Sequence, residues 1–260
     1  MSLEKRTVVI DRAETLFRSS TRRDFLRAMG VGGSIVLLPS LFAACNNDSS
    51  VTGVTGNTTY TLDLSNDTGI LNYAYALEQL EAAFYTTALT STAFSSLPAA
   101  EQEVLADLQK HEVIHREFFK KVLGSAAIPA ISFNATAVAN LMTNRAVLLS
   151  SSQLLEDTGV SAYNGAGKYL TSAANLLVAG KIVSVEARHA AAIRDIRDGS
   201  NGKLFAGDDV VNAQGLDVKA EPGTVGSSVN GLGVILGSIA IGTSPDATRK
   251  TADAPAPTPT

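Results

Sequence analysis

The chain has 260 residues, of which 45% are hydrophobic and 18% are charged, and its formal net charge is −4. Nucleic-acid-binding proteins cluster Lys and Arg to replace phosphate counterions and often use aromatic stacking surfaces, whereas this chain is slightly acidic and only 6% aromatic. A single cysteine excludes a disulfide framework and a cysteine-rich zinc or iron–sulfur site. The length therefore allows one large domain or a mid-sized domain with additional segments, and the composition indicates no nucleic-acid partner.

The first 45 residues have the composition of an export signal. Arg22 and Arg23 precede residues 28–44, a run that contains no charged side chain. The paired arginines resemble a twin-arginine export signal, and the run ends at Cys45 in a sequence similar to a lipoprotein cleavage box. Residues 1–45 are therefore predicted to be a twin-arginine, lipoprotein-type signal, with an uncleaved N-terminal anchor as the alternative. Both interpretations predict the export machinery and a membrane as partners, and an exported, periplasmic or other extracytoplasmic location.

The next segment is predicted to be a linker followed by a helical bundle. Residues 46–66, rich in Asn, Ser, Thr and Gly, have the composition of a flexible linker. Apolar residues then recur with a helical period in four stretches, at about residues 67–89, 98–124, 134 to at least 157, and 168–198. Residues 125–133 contain Pro129, which disfavours helix, and an extended segment of this length spans about 30 Å, the length of a 20-residue helix. The pattern predicts an all-α fold, an antiparallel four-helix bundle over residues 67–199 with a long crossover between helices two and three.

The C-terminal part of the chain has no clear period. Residues 200–250 are predicted to be an irregular extension, in which the apolar run 232–241 forms either a strand or a helix that packs on the bundle. Residues 251–260 alternate Pro, Ala and Thr and are predicted to be disordered.

Two of the three histidines lie in a Glu-x-x-His motif. Glu112 and His115 lie in the second predicted helix, and Glu186 and His189 lie in the fourth. Residues at i and i+3 lie on the same side of a helix, and both pairs lie within the apolar stripe of their helix. Buried carboxylates are costly unless they are paired, hydrogen-bonded or bound to a cation, so two inward-facing pairs indicate a site.

The other two helices contain further carboxylates on the inward side. Glu156 follows the apolar positions of the third helix. In the first helix Glu81 lies near the middle of the apolar stripe and is preferred, whereas Glu78 lies nearer its edge and remains the alternative. Glu78 precedes Tyr85 by seven residues, and Glu156 precedes Tyr163 by the same distance. Both tyrosines are therefore candidates to support the ligands, against the alternative of ordinary core aromatics.

One Glu from each of two helices and a Glu-x-x-His motif from each of the other two form the ligand set of di-iron and di-manganese carboxylate bundles. The predicted metal ligands are Glu81, Glu112, His115, Glu156, Glu186 and His189, with Glu78 as the alternative in helix one. Oxygen and imidazole donors without thiolate favour Fe or Mn, so two divalent ions of Fe or Mn are the predicted cofactors. The alternative is a buried salt-bridge network without metal.

The motif-bearing segments resemble the exported ferritin-like domain family, which also contains desiccation-associated proteins. The resemblance covers roughly residues 66–200 and is carried by residues 77–85, 111–115, 159–166 and 186–189. It implies a ferritin-like four-helix bundle and a metal centre. His111 lies off the stripe and is predicted to be a surface residue or a neighbour of the ligands, and Arg188 is predicted to face outward or to pair with an acidic residue.

Two classes of function follow from this sequence. The first is a dimetal redox protein that reacts with dioxygen or hydrogen peroxide, in the manner of a ferroxidase or a catalase, at the cell surface. The second is a non-catalytic ferritin-like module for metal binding or stress protection. A homo-oligomer stays open under both.

Overall fold

A computed structural model describes residues 58–245 of the chain. In chain order the elements are β1 (Thr58–Asp63), α1 (Asp67–Ala88), α2 (Thr92–Ser95), α3 (Ala99–Leu123), α4 (Ala135–Asn140), α5 (Arg145–Ala166), α6 (Ala173–Arg197), α7 (Pro222–Gly231) and β2 (Gly237–Thr243). The long helices α1, α3, α5 and α6 form the predicted antiparallel bundle, in which α1 packs mainly on α3 and α5 packs mainly on α6. The predicted signal, with Arg22, Arg23 and Cys45, and the predicted tail at 251–260 lie outside the described residues.

Side-chain caps define where three of the bundle helices begin. The caps of α1, α5 and α6 are Asn66, Asn144 and Ser172, and each side chain accepts a hydrogen bond from the backbone N–H three residues later. Such caps satisfy one of the backbone donors that a helix start leaves unpaired.

The caps explain two differences from the predicted helix boundaries. The third predicted helix is interrupted, because residues 141–144 leave the helical conformation and Asn144 begins a new helix, which continues to Ala166. The fourth begins later than predicted, at Ala173, because residues 167–169 form a 3₁₀ turn and Ser172 caps the next helix.

The long crossover between α3 and α5 lies along α1. The side-chain oxygen of Asn72 accepts a hydrogen bond from the backbone N–H of Ile128 at 2.7 Å, and that of Gln79 accepts one from Ile131 at 2.8 Å. Asn72 and Gln79 are two turns apart on α1, so the crossover advances along the bundle and starts α5 at the end opposite to the one where α3 stops. This confirms the predicted crossover topology.

Part of the expected flexible linker is a strand. β1, at residues 58–63, pairs in parallel with β2, so the linker predicted over 46–66 is folded from Thr58 onward. The composition concealed an alternating pattern in which Tyr60 and Leu62 are buried between exposed neighbours. Parallel strands need a long connection, and here the whole bundle provides it.

The extension after the bundle packs along α5. The backbone N–H of Ala220 donates to the carbonyl of Ser161 at 2.9 Å, and a Cβ at Gly165 would lie 1.8 Å from the carbonyl oxygen of Ala220. Gly165 therefore permits a backbone approach that any larger residue would prevent.

A hydrophobic core connects the bundle, the extension and the strands. Its fully or almost fully buried members include Leu80, Leu105, Leu148, Val229 and Ile239. None of the helices within residues 58–245 is both long enough and apolar enough to cross a membrane.

Candidate metal centre

The two Glu-x-x-His motifs and one carboxylate from each remaining bundle helix meet in the interior. The side chains are Glu78 on α1, Glu112 and His115 on α3, Glu156 on α5, and Glu186 and His189 on α6. All four of these carboxyl residues have 0% exposure, and the two imidazoles are also buried. The structure thus brings together five of the six preferred residues, together with the alternative from helix one.

These side chains form two overlapping groups, in each of which the ligand atoms lie within 4.8 Å of one another. The first group contains Glu78, Glu112, His115 and Glu186, and the second contains Glu112, Glu156, Glu186 and His189. Glu112 and Glu186 belong to both groups. Each group therefore has one unshared carboxylate, one imidazole and two shared carboxylates.

The distances around the two imidazoles are equal in pairs, so the centre has pseudo-two-fold symmetry. The Nδ1 atom of His115 lies 2.8 Å from Glu186, 3.4 Å from Glu78 and 3.5 Å from Glu112. The Nδ1 atom of His189 lies 2.8 Å from Glu112, 3.4 Å from Glu156 and 3.5 Å from Glu186. The α1–α3 pair and the α5–α6 pair thus contribute equivalent halves of the site.

The two candidate tyrosines reach across from one half to the other. The hydroxyl of Tyr85 donates to Glu156 at 2.6 Å, and that of Tyr163 donates to Glu78. Each tyrosine therefore bonds the carboxylate of the other helix, although the equal seven-residue spacings pair it with the carboxylate of its own helix in the sequence. The sequence alone does not show this crossed pairing. A hydrogen bond to the ionised carboxyl favours that form and fixes the oxygen that faces the centre.

Glu81, the residue preferred on α1, does not belong to either group. Its side chain is buried against Gly159, where an added Cβ would lie 2.9 Å from its Oε1 atom. The apolar stripe could not distinguish Glu81 from Glu78, because α1 is buried on nearly all sides from Ile70 to Ala82. The geometry favours Glu78, the alternative.

Burial and mutual charge dominate the proton affinities of the site. Burial, reinforced by the nearby carboxylates of Glu112 and Glu186, raises the pKa of Glu78 and the pKa of Glu156 to about 8. Burial also acts to raise the pKa of Glu112, but the facing imidazoles of His115 and His189 outweigh it and lower that pKa to about 2.

The imidazoles respond in the opposite direction. Burial by itself would lower the pKa of His189, but Glu112, Glu156 and Glu186 outweigh it and raise that pKa to about 12. The pKa of His115 is raised for the same reason by the carboxylates that it faces. Without metal, the positive charge at the centre is therefore carried by protonated imidazoles.

The donor set fits a pair of divalent cations. Each of the six side chains presents at least one fully buried atom whose polar contacts within residues 58–245 are ion pairs inside the centre; these atoms are Glu78 Oε2, both oxygens of Glu112, His115 Nδ1, Glu156 Oε2, both oxygens of Glu186 and His189 Nδ1. Four buried carboxylates that share only two imidazoles have too little positive charge around them, which is costly. Metal ions would satisfy all of them, and the oxygen and imidazole donors suit Fe or Mn.

His111 contacts a side chain of the centre, whereas Arg188 faces solvent. His111 is exposed, but its Nδ1 atom lies 2.9 Å from Nε2 of His189 and the two rings are stacked. His111 is therefore a surface residue that directly contacts the candidate ligand His189. Arg188 is exposed and donates to Ser184 on its own helix.

The bundle region matches a known protein family. A family described as a ferritin-like domain matches residues 66–198, which contain the four bundle helices and all six side chains of the two groups. No curated protein matches the chain.

Proposed function

Because this chain belongs to the ferritin-like domain family, and because two ligand groups share Glu112 and Glu186 in its core, we propose that it binds two divalent Fe or Mn ions and uses them in redox chemistry. The oxidant in this proposal is dioxygen or hydrogen peroxide, and the reductant is Fe(II), as in a ferroxidase, or a second molecule of hydrogen peroxide, as in a catalase. The observation that carries the proposal is the sharing of two buried carboxylates between two four-residue groups, since a single ion in one group would leave one buried carboxylate and one imidazole of the other group without a cation.

Each ion would have one unshared carboxylate, one imidazole and the two shared carboxylates. Glu78 and His115 serve the first ion, and Glu156 and His189 serve the second. Four ionised carboxylates and two neutral imidazoles carry a charge equal and opposite to that of two divalent ions. Metal binding is therefore coupled to proton release from Glu78, Glu156 and both histidines.

When bound, such a pair of ions would supply electrons to dioxygen or peroxide, which is reduced, or take electrons from a second peroxide, which is oxidised to dioxygen, at a site that excludes bulk water. The remaining work belongs to the chain. Tyr85 and Tyr163 hold the unshared carboxylates in place, and the surrounding apolar core excludes water from the centre.

Elemental analysis of the native protein, followed by reconstitution with Fe(II) or Mn(II), tests this proposal. We expect about two ions per chain, and a loss of both in Glu112→Gln combined with Glu186→Gln. Glu103→Gln is the matched control, because Glu103 is an exposed carboxylate on α3, the helix that carries Glu112. This variant should bind as many metal ions as the wild type does. Well under one ion per chain after reconstitution would refute the dimetal centre.

Assays of Fe(II) oxidation and peroxide consumption on the loaded protein separate the redox function from a non-catalytic module. The redox proposal requires turnover that disappears in the double variant. Full metal occupancy without turnover of either oxidant would instead support a binding or stress-protective role.

We also propose that the chain is exported and tethered to a membrane through Cys45. This location is supported by the sequence of residues 20–45 alone. Replacing both Arg22 and Arg23 with Lys should leave the protein in the cytoplasm, and Cys45→Ser should release it from membrane fractions. Unchanged export of the lysine variant would indicate the general secretory route.

A further inference from the structure

The pseudo-two-fold symmetry of the centre, which relates α1 to α5, is broken at one position. α1 and α5 correspond residue by residue, because Glu78 and Tyr85 on α1 match Glu156 and Tyr163 on α5. Three residues after these glutamates, the next inward position is Glu81 on α1 but Gly159 on α5. The side chain of Glu81 lies over Gly159, in space that the missing side chain leaves open.

A groove begins at this break. Matching positions of the two helices form its walls, Leu77 with Leu155 and Leu80 with Thr158. Val229 of helix α7 and Leu232, which directly follows this helix, close the third side. The walls are therefore mostly hydrocarbon, and the rim is open to solvent at the half-exposed Leu154.

Glu81 is the ionisable side chain among the residues that line the groove. Its side chain is buried, and its Oε2 atom has no hydrogen-bond partner within residues 58–245. Burial raises the pKa of Glu81 well above its usual range, and the charges of Glu112, Glu186, Glu156 and Glu78 raise it further. Glu81 thus interacts electrostatically with all four carboxylates of the centre and also lines the groove. Its carboxyl group therefore lies between the centre and the groove.

We propose that this groove is the access route for a small uncharged oxidant, dioxygen or hydrogen peroxide, and that Glu81 is the gate at its inner end. The inference rests on the proposed redox function. An uncharged molecule fits the walls because a hydrated divalent cation would lose its water against leucine and valine side chains, at a large cost in free energy. Dioxygen incurs no such cost.

Nitric oxide, an uncharged diatomic molecule that binds Fe(II), is the kinetic probe. In anaerobic stopped-flow measurements on Fe(II)-loaded protein, Leu154→Trp combined with Ser228→Trp should slow binding about tenfold, because both substitutions add bulk at the solvent-exposed rim. Glu81→Ala should accelerate binding, because it removes the gate. Leu177→Trp, an exposed leucine on α6 away from the groove, is the matched control and should leave the rate unchanged.

Iron content and thermal unfolding of each variant are measured in parallel, so that a slower rate is not mistaken for lost metal or lost fold. Equal nitric oxide rates in all variants with full iron content would overturn the access route and leave the dimetal proposal intact. Iron content below one ion per chain in the wild type would overturn the dimetal proposal instead.

A second measurement on metal-free protein decides the groove independently of metal binding. Crystals of the wild type under xenon pressure should show xenon between Leu77 and Leu155, since xenon occupies apolar cavities. Xenon found only elsewhere in the bundle would refute the groove as the route.

Discussion

The side chains of the candidate metal centre depend on one another for their charge states. Glu112 is held ionised by His115 and His189, while those imidazoles are held protonated by the carboxylates that surround them. Glu78 and Glu156, one on each side, retain protons near neutral pH because they are fully buried. In the metal-free site, protons on the two imidazoles and on Glu78 and Glu156 compensate the negative charge of the carboxylates. Divalent ions would replace these protons, so protons and metal ions compete for the same atoms.

This competition predicts a pH dependence for the stability of the metal-free protein. Glu78 and Glu156 have folded-state pKa values of about 8 against a reference of 4.5, so between these values the folded state binds more protons than the unfolded chain. The raised pKa of His189, about 12, acts in the same direction above about pH 6.5. The free energy of unfolding should therefore fall as the pH rises from about 5 to about 8.

Thermal unfolding of the metal-free protein at constant ionic strength measures this slope. Glu78→Gln combined with Glu156→Gln should flatten it, because neither amide titrates. Saturating Mn(II) should reverse it, since the metal binds only the ionised carboxylates and neutral imidazoles. A metal-free protein whose unfolding temperature rises from about pH 5 to about pH 8 would contradict these charge states.

His111 should position His189. For Nδ1 of His189 to bind a metal, its proton must lie on Nε2, where the Nδ1 atom of His111 can accept it at 2.9 Å. His111→Ala should weaken the affinity of one of the two ions about tenfold or more, and His111→Gln, which retains an acceptor, should restore part of the loss. Chelator competition measures both ions separately.

The matched control is Val185→Ala, because Val185 precedes Glu186 as His111 precedes Glu112. An equal loss for the two ions in His111→Ala would indicate a general structural effect and would refute the positioning role.

At the scale of elements, the topology depends on polar side chains of α1 that hold a non-helical segment. Asn72 accepts from the backbone N–H of Ile128 and donates to the carbonyl of Ala126 at 2.8 Å, so one amide satisfies two backbone groups of the crossover. Gln79 provides the next acceptor further along the helix. The direction of α5, and hence the position of Glu156, follows from where this segment ends.

Asn72→Ala should therefore lower the free energy of unfolding by about 2 kcal/mol, because it leaves a partly buried donor and acceptor without partners. Chemical denaturation measures the change. Asn140→Ala, an exposed asparagine on α4, is the control and should change stability by no more than about 0.5 kcal/mol. A loss in Asn72→Ala as small as in the control would mean that water satisfies the crossover equally well.

The sequence predicts the elements that carry strong periodicity and misses those that depend on contacts distant in sequence. The Glu-x-x-His motifs, the four bundle helices and the crossover follow from spacing and from Pro129. β1 could not be predicted, because its partner β2 lies at the other end of the domain. Glu78 could not be preferred over Glu81, since the choice depends on Gly159 and on the hydroxyl of Tyr163, both on a helix far along the chain.

For the whole molecule, the extension is joined to the bundle through a buried guanidinium. Arg194 on α6 is 2% exposed and makes paired hydrogen bonds to Asp157 on α5 and to Asp209 in the extension. The planar guanidinium can bind two carboxylates at once, which an ammonium group cannot do with the same geometry. The same extension leads to α7, which closes one side of the groove above Glu81. Arg194 therefore links the bundle that contains the candidate metal centre to the extension that leads to α7.

Arg194→Lys should loosen the extension without dissolving the bundle, because one ammonium cannot replace both paired contacts. We expect faster cleavage between residues 200 and 212 in limited proteolysis, with helix content and metal stoichiometry retained. Asp209→Asn, which alters only the extension's partner, should give a smaller increase, because Asp209 is largely exposed and Asp157 still holds the guanidinium. Cleavage at the wild-type rate in Arg194→Lys would show that packing of α7 and β2, rather than this ionic contact, keeps the extension on the bundle.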